Sequence, residues 1–145
     1  MILYLDTSAL LKKYFRETGS KEVIDSWRAA NEIVSSSVAY AEAMASLHRK
    51  RRETRISTKT IANILDAFQR DWESFIRIEV TDDLNESINR ITATYSLRGF
   101  DAIHLASALL IYERIPEDFH FACFDRILLQ AAQGEGLETL PAATN

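Results

Sequence analysis

Four carboxylates in this 145-residue chain stand where folding could bring them to one place. Asp6 directly follows the apolar run ILYL, and Asp125 directly follows the run FHFACF, so two strands ending on the same sheet rim would carry both. Asp101 opens the segment DAIHLASALLIY, and Glu42 sits inside SSVAYAEAMASLHR. Like charges raise each other's pKa values, so a convergent set of carboxylates cannot stay fully ionised without a cation. Oxygen-only donors suit hard ions, Mg²⁺ or Mn²⁺. An ion of that kind polarises a phosphoryl oxygen and acidifies a bound water, which is chemistry for hydrolysing a phosphodiester.

Each carboxylate also has an ordinary reading. Asp is a preferred N-cap, and Asp6, Asp101 and Asp125 all precede predicted helices, so capping alone accounts for any one of them. Glu42 resists that reading. On a helical wheel it shares a stripe with Val38, Ala45 and Ser46, with Ala41 and Ala43 beside it in sequence. Burying a carboxylate among small side chains is costly unless something pairs with it. Arg49, seven residues on, is one candidate partner and a cation is the other. Zinc has no support: there is no CxxC, HExxH or paired-His spacing, and His48, His104 and His120 are scattered. His104, three residues after Asp101, reads as a hydrogen-bonding histidine behind the site or in the core rather than as a ligand.

The elements that must position these groups follow from periodicity. Strands are predicted at 2–5, 32–35, 75–80 and 119–124, with a possible fifth at 137–140. Helices are predicted at 8–16, 21–30, 38–52, 82–95, 102–112 and 126–133. A further helix opens at Ser57 and carries Ile61, Ile64, Leu65, Phe68 and Trp72 on one stripe. Strands alternating with helices imply a parallel sheet covered on both faces. In such sheets ligands bind beyond the carboxyl ends of the strands, near a topological switch point.

Composition sets the outer bounds. Hydrophobic residues make up 47% and charged residues 26%, with only four Gly and two Pro, which indicates one globular domain over residues 1–145 and argues against disorder. The single cysteine, Cys123, excludes an internally disulfide-stapled scaffold. No apolar run approaches the ~20 residues needed to span a bilayer. The first residues lack the basic region and small-residue cleavage site of a signal peptide, so a cytoplasmic, soluble protein is expected. A net charge of −4 weighs against broad electrostatic capture of nucleic acid. It is compatible with a nuclease whose metal site needs carboxylates of its own.

Four segments in register carry a resemblance. DTSALLKKYF after the first strand, the Glu of an SSxxxxE helix, DAIHLASAL and FACFDRILLQAA together resemble a PIN domain, most nearly the VapC-type toxins of toxin–antitoxin pairs. The resemblance covers essentially the whole chain. It implies a single PIN-like α/β domain, with a parallel four- or five-stranded sheet and helices on both faces. It also implies a Mg²⁺- or Mn²⁺-dependent endoribonuclease that acts as the toxin component, forms a homodimer and is inhibited by a cognate antitoxin. The acidic quartet then falls on Asp6, Glu42, Asp101 and Asp125, with Asp6 and Asp101 as the main ligands of a first ion. Ser8 matches the small hydroxyl residue that follows the first Asp in the family, and Cys123 stands where members often carry Ser or Thr.

Lys12, Lys13 and Arg49 are the candidate RNA contacts, Arg49 belonging to a basic run whose ordinary reading is a solvated helix end favoured by the dipole. The apolar stripe of the helix opening at Ser57 is a candidate for surface left over for dimerisation. Two rivals remain: a non-catalytic binding module that acts through its partner, and a phosphotransfer enzyme using Asp6. The second is weakened by Ser8, which stands where a haloacid-type phosphatase has a second Asp.

Overall fold

The run Ile2–Leu5 is apolar throughout, which suits a strand covered on both faces rather than a half-exposed one. In the computed structural model, which describes residues 1–144, it forms β1. The other strands are β2 (Glu32–Ser36), β3 (Ile76–Ile78), β4 (Phe119–Ala122) and β5 (Glu138–Leu140). All neighbours pair in parallel, in the order β3-β2-β1-β4-β5, so β1 is central. The chain leaves β1 toward β2 while β4 lies on its other side. The topological switch point therefore falls between β1 and β4, whose last residues, Leu5 and Ala122, are in register.

Helices α1 (Thr7–Leu11), α2 (Ser20–Ala29), α3 (Val38–Glu53) and α4 (Thr58–Ser74) cover one face of the sheet. There Leu3, Leu5 and Ala122 pack with Leu10, Val23, Ala43 and Phe68. Helices α5 (Asn85–Thr94), α6 (Gly99–Arg114) and α7 (Arg126–Gly134) cover the other, where Tyr4 and Phe121 meet Ile91, Leu105 and Leu128. Tyr4 stacks on Phe121 with ring centroids 5.2 Å apart. The alternation Leu3-in, Tyr4-out, Leu5-in is the period of two that sends successive side chains to opposite faces. Eight residues from Ala102 to Leu109 of α6 include seven that are buried, so this helix is enclosed on nearly all sides.

The structure departs from the sequence reading at several boundaries. The first helix ends at Leu11 rather than running to residue 16. The amides of Lys12, Lys13 and Tyr14 bond to carbonyls three residues back, tightening the chain into a turn that cannot continue as an α-helix. Residues 82–95 begin as a 3₁₀ turn at Asp82–Leu84 before α5. Helix α6 starts at Gly99, so Asp101 lies inside its first turn instead of ahead of it. Strand β3 is a short sheet edge, three residues long where six were expected.

The apolar stripe of α4 is only partly taken up by the core, since Ile64 and Leu65 stay half-buried. Ile61, Phe68 and Trp72 are buried in the chain's own core, because the sheet face beneath α1–α4 needs a large cover. The large apolar side chains that remain exposed are Ile76, Val80, Phe100, Ile115 and Ile127. Among the described residues no helix is long and apolar enough to cross a membrane.

Candidate active site

Asp6 leaves β1 in extended conformation and caps α1. Its Oδ1 accepts the Ala9 N–H at 2.9 Å and the Ser8 hydroxyl at 2.7 Å. Its own amide donates to the Ala122 carbonyl at 3.1 Å, fastening the end of β1 to the end of β4. Asp125 caps α7 in the same way, its Oδ1 accepting the Leu128 N–H at 2.9 Å. The capping reading therefore holds for both, but each uses one oxygen for it. Asp101 is not a cap: Arg98 occupies that place, and among the described residues the Asp101 carboxylate accepts no hydrogen bond. Its position in the first turn still suits the positive end of the α6 dipole.

Glu42 projects from α3 and is partnered by neither Arg49 nor any other arginine or lysine. Its Oε1 accepts the Thr7 hydroxyl at 2.6 Å and His104 Nε2 at 2.9 Å. His104 is thus placed behind Glu42, from the buried side of α6. Thr7 and Tyr4, which complete this set of contacts, went unnoticed in the sequence. The available signal for Thr7 was its hydroxyl beside Asp6; Tyr4 had none, since an aromatic in a buried strand reads as core.

A common pattern emerges. Among the described residues, one carboxylate oxygen of Asp6, Glu42 and Asp125 is held by the protein while the other has no partner, and both oxygens of Asp101 are free. Among the described residues the sealed side-chain atoms without partners are Ser107 Oγ and His120 Nδ1, so the free carboxylate oxygens are not sealed from solvent. Among the described residues no lysine or arginine pairs with any of the four.

The charges around the rim act on one another, most plainly at Asp101. Burial pushes the Asp6 carboxyl up to about 6, with the Asp101 charge adding to the rise and His104 and the two hydrogen bonds opposing it. Asp101 is also raised, by burial and then by the charges of Asp125 and Glu42, against opposing contributions from His104 and Arg98. The Cys123 thiol, buried beneath them, is raised by burial and by Asp6, Asp125 and Asp101. Glu42 goes the other way. Burial raises it, but the hydrogen bonds from His104 and Thr7 outweigh that and hold it below the usual carboxylate range.

As they stand, the acids form an open rim: among the described residues, no three His, Cys, Asp or Glu side chains are gathered tightly enough to hold an ion. Their chemistry fits a hard divalent cation nonetheless. The free donors are all oxygens, their charge is uncompensated, and the one nearby sulfur points into the core, 3.7 Å from the Asp125 carbonyl.

The remaining candidates fall around this rim. Ser8 accepts the Phe124 N–H at 3.0 Å while donating to Asp6. Lys12 lies over the Phe124 ring at 4.8 Å and pairs with Glu17 at 3.1 Å. Lys13 turns to the α4 side, 2.7 Å from Asp71 and 4.4 Å from the Trp27 ring. Arg49 lines a groove between α1 and α3 with Phe15, Ser46 and Lys50.

Comparison with known proteins agrees with this architecture. The PIN domain family matches residues 3–133. The chain is 31% identical to Ribonuclease VapC45 of Mycobacterium tuberculosis (strain CDC 1551 / Oshkosh), over 97% of this chain and 96% of that one. The fold matches that of FitAcB from Neisseria gonorrhoeae, with a TM-score of 0.64 at 13% identity and 96% of each chain covered. It also matches a chain of a toxin–antitoxin complex from Klebsiella pneumoniae, with a TM-score of 0.60 at 19% identity, over 85% of this chain and 86% of that one. From the strand order, the acids on the rim at the switch point and these likenesses together, the chain belongs to the PIN domain family, among its VapC-type members.

Proposed function

We propose that the chain is a Mg²⁺- or Mn²⁺-dependent endoribonuclease, the toxin of a toxin–antitoxin pair, with Asp6, Glu42, Asp101 and Asp125 as its active site. One observation carries this reading: four carboxylates stand at the carboxyl rim by the switch point, each with at least one oxygen that accepts no hydrogen bond, and among the described residues none is ion-paired to a lysine or arginine. The name of the VapC45 relative, which is similar over nearly its full length, supports RNA as the substrate.

Asp6 and Asp101 would be the main ligands, with Glu42 and Asp125 completing the shell or holding a second ion. When bound, the cation supplies positive charge to a phosphoryl oxygen and an acidified water for in-line attack. The chain's own contribution is position. The caps on Asp6 and Asp125 fix those side chains at two helix starts, and Ser8 ties the two corners together. The free oxygen of Glu42 or Asp125 would orient that water and take its proton. Hydrolysis of this kind leaves a 5′-phosphate and a 3′-hydroxyl, and the ribose 2′-hydroxyl takes no part. Asp6 as a covalent phosphoacceptor is disfavoured, since it is only 4% exposed and one of its oxygens is committed.

RNA contact falls to Lys12, over the Phe124 ring that precedes Asp125, with Arg49 in the groove between α1 and α3 and Lys13 on the α4 side; a net charge of −4 makes this a local rather than a global attraction. An antitoxin partner is supported by the fold shared with a chain of the Klebsiella toxin–antitoxin complex. A homodimer would draw on the exposed Phe100, which lines an apolar depression with Ile88 and Ile103. The cytoplasm, where RNA is at hand, is the proposed place of action.

The test is cleavage of RNA by the purified protein, with analysis of the new ends. The expected result is cleavage with Mg²⁺ or Mn²⁺ but not in EDTA, giving 5′-phosphate ends. Cleavage that persists in EDTA, or 2′,3′-cyclic phosphate ends, would overturn the reading.

A further inference from the structure

Glu42 Oε1 receives hydrogen bonds from two separate elements, Thr7 Oγ1 at the start of α1 (2.6 Å) and His104 Nε2 in α6 (2.9 Å). An ionised carboxylate can only accept, so Nε2 must carry a ring proton and Thr7 must give its single one. On a neutral ring this leaves His104 Nδ1 as an acceptor, and the Tyr4 hydroxyl lies 2.9 Å from it. The phenol hydroxyl is then the donor of this bond. The Tyr4 and His104 rings meet edge to face, with centroids 5.9 Å apart at 82°, which fixes the imidazole plane. Tyr4 is 0%, His104 1% and Thr7 9% exposed, so water does not compete freely for these bonds.

The set spans the molecule. Tyr4 belongs to the central strand, Thr7 to the corner after it, Glu42 to one helical layer and His104 to the other. Two of these bonds end on one oxygen of Glu42, the Tyr4 bond stands behind His104, Thr7 Oγ1 also lies 3.3 Å from His104 Nε2, and among the described residues Oε2 has no partner. We propose that Tyr4, Thr7 and His104 are positioning residues that lock Glu42 in one orientation, saturating Oε1 so that Oε2 alone is offered to the cation. The inference rests on the proposed role of the quartet and adds a directional relay, Tyr4 to His104 to Glu42, with Thr7 as a second anchor. Partners of this kind behind a ligand typically contribute about 10–100-fold to metal affinity or activity.

The test has two arms. In the metal-free wild type, ¹⁵N spectra of the His104 imidazole should show the proton on Nε2 and Nδ1 as a hydrogen-bonded acceptor; a proton on Nδ1 overturns the relay. In the second arm, Mn²⁺ binding is measured by calorimetry alongside RNA cleavage for His104→Leu, His104→Gln, Thr7→Val and Tyr4→Phe. His104→Leu and Thr7→Val should weaken Mn²⁺ binding and lower kcat by about tenfold or more, with the KM for RNA little changed. Tyr4→Phe should act in the same direction but less, since it removes only the orienting bond. His104→Gln, whose amide reaches the Nε2 position, should recover most of the loss. Folded variants with wild-type Mn²⁺ affinity and kcat, or a His104→Gln as impaired as His104→Leu, would overturn the inference. If His104→Leu fails to fold, the near-isosteric Thr7→Val decides the same point. If wild type cleaves no RNA, the proposed function fails, while the spectra and Mn²⁺ affinities still decide the inference.

Discussion

The hydroxyl of Ser8 joins Asp6 to Phe124: it donates to Asp6 Oδ1 at 2.7 Å and accepts the Phe124 N–H at 3.0 Å. Two loops at the switch point are thereby held together, one carrying Asp6 and the other leading into Asp125. Ser8→Ala leaves a part-buried amide without its partner and frees one bond on Asp6. The expected cost is about 1–2 kcal/mol of stability, together with slower cleavage at saturating metal. Urea unfolding and single-turnover rates measure the two effects, and an unchanged rate would mean that the loops are held by their caps alone.

Gly19 supports the same corner from beneath. Its φ is +93°, and a Cβ there would stand 2.6 Å from Phe124 Cε1. Gly19→Ala must therefore strain the backbone and push the ring aside, at a cost of about 1–3 kcal/mol. Thermal melting should show the loss, and the displaced ring should no longer support Lys12, which lies over it at 4.8 Å.

Metal-free stability should depend on pH with a sign set by Asp6. Its folded pKa of about 6 lies above the ordinary value of 3.8, so the folded state holds this proton more tightly than the unfolded chain does. The penalty is absent below about pH 4, grows as pH rises through the window up to 6, and reaches roughly 3 kcal/mol at neutral pH. Asp6→Asn keeps an oxygen for the cap and loses the charge. It should melt above wild type in EDTA at pH 7.5, with the gap narrowing toward pH 5. A variant that melts lower at pH 7.5 would make Asp6 a stabilising carboxylate and contradict this sign.

Glu42 has the opposite sign. Its pKa is held low, so its contribution is present above the ordinary carboxylate range and is lost as pH falls through the lowered value. Glu42→Gln should accordingly melt below wild type in EDTA at pH 7.5. The contrast between the two variants is the measurement, since a general effect of removing charge from the rim would move both the same way.

Lys12 offers a separate handle on RNA. It lies beside the rim, and its pairing with Glu17 at 3.1 Å leaves it able to exchange that carboxylate for a phosphate. Lys12→Gln should raise the KM for RNA and flatten its salt dependence while leaving kcat nearly unchanged. A fall in kcat alone would place Lys12 in the chemistry rather than in binding.

Much of this architecture was legible in the sequence because its signals are local. The run ILYL announces a buried strand and the Asp after it a strand end, and the same holds for FHFACF and Asp125. Gly99 reads as a break between two helices, which makes Asp101 look like a cap, whereas α6 already starts at Gly99. The turn after Leu11 was missed because Lys12–Arg16 continues a helical pattern, while three-residue hydrogen bonds close the chain there. That His104 hydrogen-bonds behind the site is legible from its place after Asp101, but that Glu42 is its partner is not. Arg49 is near it in sequence, whereas His104 lies 62 residues away and is brought in only when α6 packs across the sheet. Tyr4 and His104 are 100 residues apart, so their contact is a product of topology rather than of any motif.

Asp101 gives the most direct test of the central claim, because its carboxylate accepts no hydrogen bond among the described residues and Asp101→Asn should leave the fold intact. RNA cleavage by wild type and Asp101→Asn is followed as Mn²⁺ is titrated into chelator-treated protein, with thermal melts of the same samples. The account predicts that wild type turns on saturably with Mn²⁺ and melts higher as it binds, while Asp101→Asn stays folded, gains little from the metal and cleaves at least about a hundredfold more slowly. Cleavage by folded Asp101→Asn at the wild-type rate, with the same Mn²⁺ dependence, would contradict it.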